Sequence, residues 1–233
     1  MEIIAINALT DNYIWVIKEA NGAIVVDPGE AQPVLDFLTE HQLPLTAILI
    51  THHHDDHTGG VKELLSNYPD APVYGPVEVE GMTYIVADGQ QFEINQHQFK
   101  VKKTAGHTAE HISFLMDDQH LFCGDALFSA GCGRVFTKDY QAQYDALKYF
   151  ESLADVVKVY AGHEYTLTNL KFANSMEPDN LVLQSALQLV EQLRTDNLKT
   201  LPSTIGLERD INLLMMAPNL ESFIELRKAR DNF

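Results

Sequence analysis

Short runs of β-branched and aromatic residues, each closed by turn residues, fill the first two thirds of the chain. Residues 3–6, 13–18 and 23–26 are such runs, separated by Asp11-Asn12 and Asn21-Gly22, and they predict consecutive antiparallel strands. Asp27-Pro28-Gly29 ends the third. Between residues 33 and 40 the apolar positions Val34, Leu35 and Leu38 take helical spacing, and residues 45–50 return to a buried strand. A helix over 61–68 precedes a second series of strands at 73–74, 84–86, 92–94, 99–103, 112–116 and 121–123. A helix over 141–153, with Tyr144, Leu147 and Phe150 on one face, and a strand over 156–160 complete the series.

After His163 the pattern turns helical, over 167–174, 180–193 and 222–232, with Pro178 and Pro202 marking breaks. The expected class is therefore α+β, with a mixed αβ domain over residues 1–165 and a helical C-terminal domain over 166–233. Periodicity does not say how the strands pair.

Composition narrows the function classes. The 233 residues are 45% hydrophobic, enough to bury a core without staples, and two cysteines cannot form a disulfide framework in a chain of this size. Residues 1–18 carry no basic leader pattern, so a cytoplasmic protein is expected; a monomer is the expected state, though the sequence carries no argument for it. Thirty-three acidic against 16 basic residues leave a net charge of −17, which disfavours nucleic acid and anionic membranes as partners. Any anionic substrate then needs a local positive centre.

The candidate chemistry lies where predicted strands run out into loops. The apolar run 45–50 ends in Thr51-His52-His53-His54-Asp55-Asp56-His57. Residues two apart in extended chain point the same way, so His52 and His54 can address one ion, and Asp56 and His57 a neighbouring point after the loop tightens. Gly106-His107-Thr108, Gly124-Asp125 and Gly162-His163-Glu164 repeat the arrangement at three other strand ends. A glycine there permits φ > 0 or close backbone approach, and aims the next side chain at a shared point. Imidazoles and carboxylates without thiolates suit zinc, iron or manganese rather than a closed structural zinc site. Cys123 and Cys132 read as small buried hydrophobes rather than nucleophiles. His41, His97 and His120 read as surface residues, and His53, Asp55 and His111 as neighbours of the ligands or solvent-facing groups.

These residues carry a resemblance. Thr51, His52, His54, Asp56 and His57 match the T-H-x-H-x-D-H signature of the metallo-β-lactamase fold superfamily. More closely, the chain resembles the glyoxalase II, or hydroxyacylglutathione hydrolase, family. That likeness runs from Asn7-Ala8-Leu9-Thr10-Asp11-Asn12-Tyr13 through Cys123-Gly124-Asp125, Ala130-Gly131-Cys132-Gly133-Arg134 and Gly162-His163-Glu164-Tyr165-Thr166 to Pro202-Ser203-Thr204-Ile205-Gly206. The resemblance implies a four-layered αβ/βα sandwich followed by a helical C-terminal domain. It implies a dinuclear site of two divalent ions, zinc first, with iron or manganese as alternatives. His52, His54 and His107 would hold one ion, Asp56, His57 and His163 the other, and Asp125 would bridge them. Asp56 and Asp125, with a hydroxide shared between the metals, would form the catalytic centre for attack on a thioester carbonyl.

The implied substrate is S-D-lactoylglutathione, a glutathione thioester released as D-lactate and glutathione in the second step of methylglyoxal detoxification. Arg134 would grip a substrate carboxylate, and Tyr165 would contact the peptide. The chain departs from the family pattern twice. Phe136 stands where a tyrosine is common, and Met216 closes Asn212-Leu213-Leu214-Met215-Met216 where the family often reads N-P-F-x-R. Weaker glutathione binding is expected, with Arg227, Lys228 or Arg230 as substitutes for the missing cation. The alternatives are a persulfide dioxygenase with one iron, which resembles a reduced ligand set, and a hydrolase of other esters.

Overall fold

A computed structural model describes residues 1–233 and divides them into two compact units, Met1–Lys103 with Glu110–Asp117, and Thr104–Ala109 with Asp118–Phe233. In the first unit, β1 (Glu2–Ala8), β2 (Asn12–Glu19) and β3 (Gly22–Val26) form an antiparallel meander. β3 then pairs in parallel with β4 (Leu45–Leu49), β4 with β5 (Val73–Gly75), and β5 with β6 (Tyr84–Ile85). The parallel step needs a crossover, supplied by α1 (Gln32–His41), which packs Val34 and Leu38 onto the sheet with Val16, Val25 and Ile48. Strands β7 (Gln91–Ile94), β8 (His97–Lys103) and β9 (Ile112–Met116) pair antiparallel in the same unit.

Where β4 ends, residues expected to be loop instead form one helical turn, α2 (Asp55–Thr58), followed by α3 (Val61–Asn67). The turn is packed backbone to backbone against the Asp27-Pro28-Gly29 segment. A Cβ on Gly29 would lie 2.0 Å from the carbonyl oxygen of Asp56, and Gly60 N–H donates to Pro28 O at 2.8 Å. Only glycine at position 29 allows that approach.

The second unit holds β10 (His120–Gly124), parallel to β11 (Lys158–Ala161), with β12 (Ser203–Thr204) antiparallel beyond it. α4 (Tyr140–Glu151) buries Ala146, Leu147 and Phe150, while Tyr144 is only half-buried. The strand expected over 156–160 starts later, and Val156 is 75% exposed. Four helices follow rather than three: α5 (Thr166–Met176), α6 (Leu181–Thr195), α7 (Ile205–Ile211) and α8 (Leu220–Asp231). Thr204 caps α7 by accepting from Leu207 N, a start signal hidden in the expected Pro202 break. No helix is long and apolar enough to cross a membrane.

α7 also carries Glu208, a fully buried carboxyl that accepts from Ala130 N at 2.8 Å and Asn212 Nδ2 at 3.1 Å. Burial pushes it above its ordinary 4.5. A raised acid favours the folded state while protonated; the stability it contributes is complete below pH 4.5 and is lost as pH rises through the raised value. Glu208→Gln is therefore expected to melt at or above the wild-type temperature at neutral pH, the advantage disappearing in acid. Parallel thermal melts between about pH 4 and about pH 8 check this, and identical pH slopes would contradict it.

Candidate metal centre

In the first unit, the loop after β4 is anchored by a carboxylate that the sequence reading treated only as a strand stop. Asp27 is 4% exposed; its Oδ1 accepts from Thr51 N at 2.8 Å and its Oδ2 from Thr51 Oγ1 at 2.7 Å. Asp27 Oδ2 also lies 3.1 Å from His57 Nδ1, which fixes that ring with Nε2 toward Asp56 Oδ2 at 3.5 Å. His52, fully buried, directs Nε2 to within 3.1 Å of His54 Nδ1. Asn12 donates to Asp56 Oδ2 at 3.0 Å and holds that carboxylate. His111 is fully buried and stacks on the His52 ring at 4.8 Å, while Asp55 is exposed and His53, half-exposed, pairs with Glu78 at 3.2 Å.

In the second unit, Asp125 Oδ2 lies 3.4 Å from both His107 Nε2 and His163 Nε2. All three residues are buried. His107 Nδ1 donates to the carbonyl of Arg134 at 2.9 Å, so Nε2 is the basic nitrogen and faces the carboxylate. The His163 ring stacks on Tyr165 at 4.7 Å with a 6° interplanar angle, and Phe128 meets it edge-on. Gly106 and Gly124 have positive φ as expected. Gly162 does not, and instead donates to Gly124 O at 3.0 Å as part of the strand pairing.

The donors fit divalent ions. Ligands about 2.0–2.2 Å from one tetrahedral ion lie about 3.3–3.5 Å from each other. The separations from His57 to Asp56, from His107 to Asp125 and from His163 to Asp125 are 3.4–3.5 Å, and His52 to His54 is slightly tighter at 3.1 Å. Asp27, His52 and His57 also gather within 4.8 Å of one another, but the Asp27 oxygens are taken by Thr51 and the far nitrogen of His57. That places Asp27 behind the His57 ring, where it sets the imidazole's orientation and basicity. Asp27→Asn is expected to weaken zinc binding about 10–100-fold, measured by competition with a chromophoric chelator; unchanged affinity would contradict the role. A carboxylate directly after a buried strand, as in Gly124-Asp125, was the signal that could have found it.

The remaining candidates fall as follows. Burial pushes both Cys123 and Cys132 thiols up, which keeps them protonated and poorly nucleophilic, as the sequence suggests. Arg134 is largely exposed, but its Nε lies 3.2 Å from Asp231 Oδ1, so its charge is already engaged. Phe136 is 59% exposed with its ring 5.3 Å from that of His107. Arg227 is buried against Cys132 O and Asp231, Arg230 bonds Asn169 and Lys228 lies over the Tyr140 ring. Met216 is 38% exposed. His41 is exposed as expected, but His97 is half-buried between Asp117 and Glu19, at 2.6 and 2.8 Å, and His120 bonds the Tyr160 hydroxyl.

Residues 9–163 match the family model of the metallo-beta-lactamase superfamily, and residues 164–233 match that of the hydroxyacylglutathione hydrolase C-terminus. A hydroxyacylglutathione hydrolase of Glaesserella parasuis serovar 5 (strain SH0165) is 53% identical over 234 residues, covering all of both chains. The chain belongs to the hydroxyacylglutathione hydrolase family. Among solved structures, ETHE1 from Myxococcus xanthus is similar with a TM-score of 0.74 at 25% identity, covering 98% of this chain and 90% of that one. TTHA1623, solved in a di-iron-bound form, has a TM-score of 0.57 at 25% identity, over 70% of this chain and 92% of its own. Membership of the hydroxyacylglutathione hydrolase family gives the chain the α+β metallo-β-lactamase fold with a helical C-terminal domain. Its His and Asp donors make it a divalent-metal protein.

Proposed function

We propose that this protein is a metal-dependent thioester hydrolase that converts S-D-lactoylglutathione to D-lactate and glutathione, and other 2-hydroxyacyl-glutathiones to the corresponding 2-hydroxy acids and glutathione. The observation that carries the reading is the end-to-end likeness to a hydroxyacylglutathione hydrolase, C-terminal region included, in a chain whose His and Asp side chains are spaced as metal ligands. His52, His54 and His107 would hold one ion, and Asp56, His57 and His163 would hold a second. Asp125 would serve both. Zinc is the first choice of metal, iron and manganese being accepted by the same donors, and the di-iron form of TTHA1623 supports a paired site.

Bound there, two divalent ions would supply Lewis acidity and bring the pKa of a water down toward about 7. The protein's own part is to orient and to compensate charge. Asp56 and Asp125 supply the negative charge that keeps two cations close, and Asn12 and Asp27 hold the first unit's donors in place. A thiolate leaves readily, so the residues around the donors need not include a strong general acid. Arg134 receives a glutathione carboxylate by exchanging its Asp231 contact, while Tyr165, stacked on His163, and Phe136, against His107, offer further substrate contacts. Composition and charge support a cytoplasmic monomer that takes a small thioester and neither nucleic acid nor membrane as partner.

The competing reading is a dioxygenase with a single iron. Incubation with acyl-glutathiones while monitoring both thiol and oxygen separates them. The hydrolase releases one thiol per thioester and consumes no oxygen. Oxygen uptake with one iron per chain would overturn the proposal.

A further inference from the structure

The backbone of residues 128–132 is held group by group by buried side chains from the C-terminal helices. Asn212, just after α7, donates through Nδ2 to the carbonyls of Phe128 at 3.2 Å and Gly131 at 3.0 Å. Asn169 on α5 donates to Ser129 O at 3.0 Å, Glu208 accepts from Ala130 N at 2.8 Å, and Arg227 on α8 donates to Cys132 O at 2.7 Å. Glu208 Oε2 also accepts from Asn212, which couples these two side chains to each other as well as to the loop. Glu208 and Asn212 are at most 1% exposed, so none of these bonds is exchanged cheaply for water. Ala130 sits at φ +56, a conformation that a residue with a Cβ keeps only where its surroundings impose it.

The same loop ends at the donors of the second unit. Gly133 lies so close to Asp125 and His107 that a Cβ there would meet Asp125 O at 2.1 Å and His107 Nδ1 at 2.8 Å. The next carbonyl, of Arg134, accepts the His107 Nδ1 proton. We infer that Asn212 and Glu208 are positioning residues, which set the loop 128–134 and through it the imidazole of His107 against Asp125. The helical C-terminal region would then shape the metal site as well as the substrate's surroundings. This rests on reading His107 and Asp125 as ligands.

The test uses the full chain, with zinc as the probe. Asn212→Ala is expected to weaken zinc binding about 10–100-fold in chelator competition, and to shift the His107 Nδ1–H proton resonance of the metal-free protein. Glu208→Leu should act likewise, whereas Glu208→Gln keeps the accepting oxygen and should stay within about twofold of wild type. A merely structural role would lower the melting temperature and leave both the resonance and the affinity of the folded fraction alone. Should Asn212→Ala fail to fold, Asn169→Ala removes the Ser129 contact and is expected to show a smaller loss of affinity in the same direction. Wild-type zinc affinity in a folded Asn212→Ala or Asn169→Ala protein overturns the inference. His107→Ala separates the two failures: if it also keeps wild-type affinity, the ligand assignment is what is wrong.

Discussion

Asp125→Ala is expected to reduce kcat/KM for S-D-lactoylglutathione by roughly 10³-fold or more, about 4 kcal/mol of transition-state stabilisation. Its Oδ2 faces His107 and His163 at equal distances of 3.4 Å, and its side chain is almost wholly withdrawn from water. In so enclosed a place a carboxylate is costly without cations and strongly stabilising with them. Removing it should therefore separate two quantities that a simple folding defect would move together. The metal-free variant is expected to melt no lower than the metal-free wild type, because a buried charge has gone. Zinc is expected to stabilise the native wild type by mass action and to raise the melting temperature of the variant much less. Thermal melts with and without zinc, beside a thiol-release assay, read both. Wild-type turnover by Asp125→Ala would contradict the assignment.

Gly133→Ala should have the next largest effect, for a steric reason. Its added methyl would sit 2.1 Å from the Asp125 carbonyl oxygen and 2.8 Å from His107 Nδ1, and the first of these is backbone that cannot rotate away. Forcing the loop outward costs on the order of 1–3 kcal/mol of stability. It also moves the Arg134 carbonyl that holds the His107 tautomer. A loss of zinc affinity of about 10–100-fold, in chelator competition, is expected alongside a lowered melting temperature. Retention of both would mean that the loop and the two donors are not in the register described.

The donors' residue types could be read from the sequence because each follows a strand, and the buried positions of the strand bring its end to a fixed place. A strand-end carboxylate such as Asp27 can be nominated in the same way, but which residue meets which cannot, because the partners come from distant positions. Asp27 reaches His57 across 30 residues, Asn12 reaches Asp56 across 44, and Asp231 reaches Arg134 across 97. Long periodic elements such as α1 and α6 were legible from apolar spacing alone. The four-residue α2 has too little length to show a period, and α7 begins three residues beyond a Pro202 that reads as a break. Val156 misled for a different reason: it is apolar, β-branched and exposed, and the strand begins only at Lys158. Arg134 illustrates the limit for substrate contacts, since spacing can nominate a cation but cannot show that Asp231 already engages it.

The most direct test of the central claim is thiol release from S-D-lactoylglutathione by the purified protein before chelation, after it, and after zinc is restored. The account predicts turnover that disappears with the chelator and returns as about two equivalents of zinc are added, with D-lactate and glutathione formed in equal amounts. Turnover that survives complete metal removal, or no turnover in the zinc-loaded protein, would contradict it.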